Sequence, residues 1–349
     1  MRAVHVASTL ATAAGVDMYR LHLTAEDLAR TRVTAGPGPF GETVFAAERL
    51  RQRSLTLPFR AWHARLNGHL GQRTRVLANV FPRDGNGVDL GTLVGPVATV
   101  EEGLDRLLGT PRAHMRGELE WYNKRHRLTA WSKSLADADP RPRCELADAV
   151  AALHDAAVRP YWVQIDARLR VDRAARARTM VEAGLEQLLA TVCPSHVRWK
   201  QPILQVDTPL GCDADVHLDG RGLILTPSVF VGDFPYLAFN LADQTAPVTL
   251  IYPAVNDLAT ARQIWTGDRP AGHLAALLGR TRSAILETIA DGCGTVELAR
   301  RLGISPASVS HHTAVLRQSG LISTRRDGPS VIHTITNLGA ILLDPDQVC

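Results

Sequence analysis

The chain has 349 residues, 45% hydrophobic and 21% charged, enough to bury a full core and long enough for two. Its 39 Lys and Arg against 35 Asp and Glu leave a net charge of +4, which excludes recognition of nucleic acid by bulk charge; DNA affinity would need a local patch. Five scattered cysteines argue against a secreted disulfide framework, and no run approaches the ~20 apolar residues of a membrane span, so the expectation is a cytoplasmic α+β protein with no membrane partner.

The opening "MRAVHVASTLATAAG" is superficially like an export signal, but His5, Ser8, Thr9 and Thr12 interrupt its apolar core. "VDMYRLHL" then alternates as a half-buried strand, with Val16 and Met18 set against Asp17, and Leu21 and Leu23 set against Arg20 and His22. Thr24 and Asp27 mark a helix start. After the loop "AGPGPFG", Val44, Ala47 and Leu50 carry helical spacing. From about Ala61 to Ala190 the pattern is mostly helical, including "LGTLVGPVATVEEGLDRLLG", with six prolines between Pro82 and Pro160 as punctuation.

Within that region Trp121, Tyr122, Trp131, Tyr161 and Trp162 concentrate aromatic surface in a chain only 5% aromatic. They could line an apolar pocket for a small organic effector, with Arg125, His126 or Arg127 orienting it. Core filling beside a solvated basic face is the plainer reading for any single one of them. "KRHR" could alternatively touch DNA.

Next, "KQPILQVDT", "ADVHLDGRGLILTPSVFV" and "APVTLIYPAV" are short, β-branched and separated by Gly, Pro and Asp, so they read as strands. Cys193, His196, Cys212 and His217 are zinc-ligand types at irregular spacing, which favours ordinary packing and no metal site. No Gly-rich phosphate loop, G-x-S-x-G or H-E-x-x-H occurs. The expectation is no cofactor and no catalysis.

The last part, from His273, offers Leu274, Leu277 and Leu278, then Ile285, Leu286 and Ile289, as two short amphipathic helices stopped at "DGCG". Thr295 can cap a third, in which Val296, Ala299 and Leu302 share a face. Gly303 supplies a left-handed turn and Ile304 plugs the angle. Ser305 is a good N-cap and Pro306 a good first residue for a fourth helix, whose free N–H groups suit a phosphate.

On that fourth helix Val309, Thr313 and Leu316 fall on one side, and Ala307, Ser308, His311 and Ala314 on the other, with His312 at the border. "ISTRRDGPSVIHTIT" reads as a hairpin. Ile322 and Thr324 lead into an Asp327-Gly328 turn, Val331, Ile332 and Ile335 lead out, and Arg325 and Arg326 lie near the tip. Helix, helix, turn, helix and basic hairpin make a winged helix. Its candidate DNA contacts are Ser305, Ser308, Ser310, His311, His312, Arg317, Arg325 and Arg326.

"TVELARRLGISPASVSHHTAVLRQSGLI" resembles the ArsR family of winged-helix repressors through Ser310, His312, Leu316, Gly320 and Leu321. Thr313 departs from that family's usual leucine. The resemblance implies a homodimer on an inverted-repeat operator in double-stranded DNA. Metal-sensing members carry paired cysteines in the helix corresponding to "VELARRLG", where this chain has none, and "NLGAILLDPDQVC" lacks the histidine of the family's other metal site. The segments "LTAEDLARTRVTAGPGPFGETVFAAERLR" and "GRGLILTPSVFVG" look like the N-terminal region of long ArsR-type regulators from actinobacteria, whose role is unassigned. The expected division is 1–260, for regulation or dimerisation, and 261–349, for DNA binding. The runner-up is an enzymatic or zinc-binding N-terminal domain, with the winged helix used for protein contact.

Overall fold

The computed structural model describes residues 17–52, 57–66, 70–83, 87–137, 140–208, 213–255, 258–266, 277–289, 293–327, 330–336, 338–339 and 342. Strand β1 (Asp17–His22) begins it, and its alternation has one consistent phase. Tyr19, Leu21 and Leu23 are buried, whereas Met18 sits with Arg20 and His22 on the other face. A period-2 pattern admits only one buried parity, so Met18 cannot share the core face with Leu21. Thr24 caps α1 (Ala25–Arg30) in a reciprocal capping box with Asp27. The short β2 (Arg32–Val33) follows.

Helix α2 (Gly38–Arg51) is enclosed on almost every side, and even Glu42 and Arg49 are buried. It shares one core with α3 (Arg60–Leu66), α4 (Leu90–Val94), α5 (Val100–Leu108), α6 (Arg112–Asn123), α7 (Ala130–Leu135) and α8 (Arg141–Leu153), of which α4, α5 and α8 lie directly against it. The stretch read as one helical pattern is two helices. Gly95, at φ +73°, ends α4, and Thr99 caps α5 by accepting the Glu102 N–H. Gly103 lets α5 approach Phe40 of α2, since a Cβ there would lie 2.5 Å from the ring. Beyond α8 a π turn at His154–Val158 leaves the Ala157 carbonyl for Trp62 Nε1 at 2.8 Å.

Helix α9 (Trp162–Thr191) breaks at Gly184, whose φ of 83° and ψ of 172° are not helical. Along a straight helix Arg176 and Thr191 would stand about 22 Å apart. Instead Arg176 Nη1 donates to the Thr191 carbonyl at 2.9 Å, so the chain reverses at Gly184 into a helical hairpin. Its second arm brings Leu188, Leu189 and Val192 into a core with the strands.

Two four-stranded sheets complete the N-terminal unit. One has the order β3 (Val197–Lys200), β4 (Ile203–Thr208), β1, β5 (Ala214–His217); β1 runs antiparallel to β4 and parallel to β5. The other has the order β2, β6 (Leu223–Ser228), β8 (Val248–Pro253), β7 (Tyr236–Ala238), with β2, β6 and β8 parallel. At the carboxyl end of β6, where parallel sheets commonly leave a ligand crevice, Glu42 fills the space. Its carboxyl accepts the Val229 and Phe230 N–H groups at 2.9 and 3.0 Å and the Ser228 hydroxyl at 3.0 Å.

Contacts divide the chain into Met1–Thr266 and Gly267–Cys349. Helix α10 (Leu258–Thr266) belongs to the first unit, because Ile264 and Trp265 are buried there, Trp265 against Phe59, Trp62 and Phe230. The division therefore falls six residues beyond the expected one. The second unit holds α11 (Arg280–Thr288), β9 (Cys293–Gly294), α12 (Thr295–Leu302), α13 (Pro306–Gln318), β10 (Ile322–Asp327) and β11 (Ser330–Ile335) around Ile285, Leu286, Ile289, Leu298, Val309 and Leu316.

Candidate nucleic-acid interface

Helix α12 starts one residue earlier than its composition suggests. Gly294 is the N-cap, and the Thr295 hydroxyl pairs with His333 Nε2 at 3.0 Å instead of capping the helix. The helix buries Leu298 and Ala299 and leaves Val296 75% exposed, so Val296 is not on the core face. Gly303 takes the left-handed conformation, φ 63° and ψ 32°, and the Ile304 N–H returns to the Ala299 carbonyl at 3.1 Å. The turn delivers Ser305, whose Oγ accepts the Ser308 N–H at 3.1 Å and caps α13.

Val309, Thr313 and Leu316 are the buried residues of α13, as their spacing predicts. Thr313 is accommodated because its hydroxyl donates to the Val309 carbonyl at 2.9 Å. Ser305, Ala307, Ser310, His311 and Arg317 are exposed, while Ser308, His312 and Ala314 are half-buried. A helix face of Ala, Ser and His side chains lets a backbone come close to base edges, and its hydroxyls and imidazole can donate or accept there. His311 and His312 lie ring to ring, 5.5 Å apart. Burial first, then His311 and Arg282, depresses the His312 pKa below its usual 6.5 and favours the neutral ring. Arg282 on α11 is a cation beside this helix that nothing in the reading of α13 singled out.

The hairpin closes its ladder at Asp327↔Ser330, with Ile322 opposite Ile335 and Thr324 opposite His333. The proposed turn at Gly328 lies outside the described residues. Consecutive strand residues point to opposite faces, so Arg325 and Arg326 diverge, and both are exposed. Arg326 shares its face with Thr324, Ile322 and the cross-strand His333, and Arg325 lies opposite. His333 is a further residue of this module, one that no local sequence pattern marks. It is 4% exposed and pairs through Nδ1 with the Thr324 hydroxyl at 3.1 Å and through Nε2 with Thr295, tying the hairpin to the start of α12. Burial and Arg317 lower its pKa, consistent with a neutral ring that donates at one nitrogen and accepts at the other.

Residues 279–324 match the model of the bacterial regulatory protein, arsR family. The C-terminal unit carries an ArsR-family helix-turn-helix. The match runs from the start of α11 through the first half of β10, which makes this the DNA-binding module of a transcription regulator, and it stops just short of Arg325. No curated protein and no solved structure matches the chain.

The aromatic residues singled out in the N-terminal unit each have their own neighbours. Arg125 lies over Trp121, 5.5 Å from the ring centroid; Tyr122 is buried against His126; Trp131 Nε1 donates to Glu145 at 2.7 Å; Tyr161 packs edge-on to Trp265; Trp162 lies against the helical core. Neither these five nor Arg125 lines the cavity of about 470 Å³ that opens in this unit between α4, α6 and the 240–243 loop. Cys193 is buried, which pushes its thiol up, His196 packs on Phe234, and His217 stacks on His22 at 4.3 Å. Cys212 lies outside the described residues. Among the described residues no three His, Cys, Asp or Glu side chains come together as a metal site.

Proposed function

We propose that the protein is a cytoplasmic repressor that binds an inverted-repeat operator as a homodimer, with the α13 helices in successive major grooves and the hairpins on flanking backbone. The single observation that carries this reading is the capped, short-side-chain face of α13 inside an ArsR-family module. Ser305, Ser308, Ser310, His311 and His312 would read or approach base edges, and Arg317, Arg325 and Arg326 would contact phosphates. Specificity then rests on several modest hydrogen bonds plus DNA shape, and affinity depends on salt.

The N-terminal unit is read as the sensing and dimerising part. An effector bound there would act by changing the spacing of the two recognition helices, a geometric requirement of a two-half-site operator. The deciding experiment is recovery of bound fragments from sheared genomic DNA by the purified full chain, followed by sequencing. An enriched inverted repeat whose occupancy blocks transcription from the adjoining promoter supports the reading. Recovery of no fragment above background removes it.

A further inference from the structure

The cavity of about 470 Å³ is of the size that holds a small organic molecule. Leu93 and Val94 at the end of α4 and Leu241 in the 240–243 loop supply apolar wall, Glu118 and Asp243 supply carboxylates, and His114 is the one imidazole in the lining; no lysine or arginine contributes. Glu118 is only 4% exposed, and among the described residues the one charged group that acts on its carboxyl is another acid, Asp89. Its carboxyl accepts the Asp89 backbone N–H.

Further acidic groups stand behind Glu118. Asp89 accepts the Thr92 N–H at 2.8 Å, the Thr92 hydroxyl at 2.6 Å and the Tyr236 hydroxyl at 3.1 Å, and Glu48 adds a further carboxyl close enough to act on Asp89 and Tyr236. Arg49, a cation that acts on Glu48, makes its contacts with the Val231 carbonyl, with Asp233 and with the Phe59 ring. Burial and these like charges push Glu118 up to about 8 and Glu48 up to about 7. A carboxyl buried without a counter-ion is held in its protonated form, and a cation entering the cavity would favour the ionised form and pair with it.

The cavity is also held open by sequence. Gly117 sits inside α6 at the cavity wall, where glycine costs a helix about 1 kcal/mol relative to alanine. A Cβ at this position would meet nothing within 4 Å. Neither backbone conformation nor close packing therefore requires the glycine; what its missing side chain leaves is room.

We propose that this cavity binds a small organic cation, a protonated amine whose ammonium pairs with Glu118 while its apolar part lies on Leu93, Val94 and Leu241. As an effector site it rests on the sensing role read for the N-terminal unit; as a binding site it stands alone. The test is titration of the full chain, without DNA, with phenethylamine, and with 2-phenylethanol and 3-phenylpropionate as its neutral and anionic counterparts, followed by ligand-observed NMR.

Saturable binding of the amine alone is expected, with the Kd raised about tenfold or more by Glu118→Gln. Gly117→Phe, which adds bulk where space exists, should abolish it while leaving the thermal unfolding of the chain intact. No saturable binding of phenethylamine, equal binding of the alcohol, or wild-type affinity in both variants overturns the proposal. Operator retention is then measured with saturating amine. Amine binding that leaves retention unchanged keeps the site and removes its regulatory role; operator binding by a chain that ignores the amine keeps the regulator and removes the site.

Discussion

His311 is exposed on α13, next to a His312 that burial holds toward its neutral form. Replacing His311 with Ala removes an imidazole from the outer face and touches none of the buried Val309, Thr313 or Leu316. Specific DNA binding should weaken by about 1–3 kcal/mol if the ring contacts a base, with the circular dichroism melt unchanged; a collapsed melt would show that the ring supports the module instead. Arg325 and Arg326 make a different prediction because they diverge on the strand. Each arginine on a phosphate contributes about one to the slope of log affinity against log salt. If only one face of the hairpin meets DNA, one single variant lowers that slope and the other leaves it alone. Two unchanged slopes would remove the hairpin from the interface.

The turn between α12 and α13 isolates a backbone effect at the level of the element. Gly303 is left-handed, yet a Cβ on it meets nothing within 4 Å, so substitution there costs conformational energy without a clash. Gly303→Ala should destabilise the module by about 1 kcal/mol, and Gly303→Asn by less, since asparagine tolerates that region. Equal melting of all three forms would contradict the turn. Elements such as this were legible because local chemistry specifies them: a glycine for the turn, Ser305 for the cap, and three- and four-residue spacing for the buried face. The start of α12 was not legible, because Thr295 is as good a cap in isolation as Gly294, and only the contact with His333 decides between them. The phase of β1 needed its sheet partners in the same way. In the N-terminal unit the aromatic residues drew attention by composition. The cavity is instead lined by unremarkable residues from α4, α6 and a loop that are distant in sequence, and no local pattern predicts that meeting.

For the whole chain, the buried carboxyls imply a dependence of stability on pH. Glu118 is raised from 4.5 to about 8, by burial first and by Asp89 second. Between those values the folded chain holds a proton that the unfolded chain has released, so this contribution is fully present below pH 4.5 and is lost as pH rises through about 8. Glu48, raised to about 7, acts with the same sign. His154, His312 and His333 act with the opposite sign, but they are lowered from 6.5, so their effect is confined to more acidic solution. The clean window for the carboxyls therefore runs from about pH 7 to about pH 8.5, where one such group can change stability by at most about 1.4 kcal/mol per pH unit. The unfolding midpoint of the full chain in urea should fall across that window. Glu118→Gln, neutral throughout, should reduce the fall and be at least as stable as the wild type at the alkaline end. Parallel pH profiles for the two proteins would mean that Glu118 is already ionised at neutral pH in the folded chain.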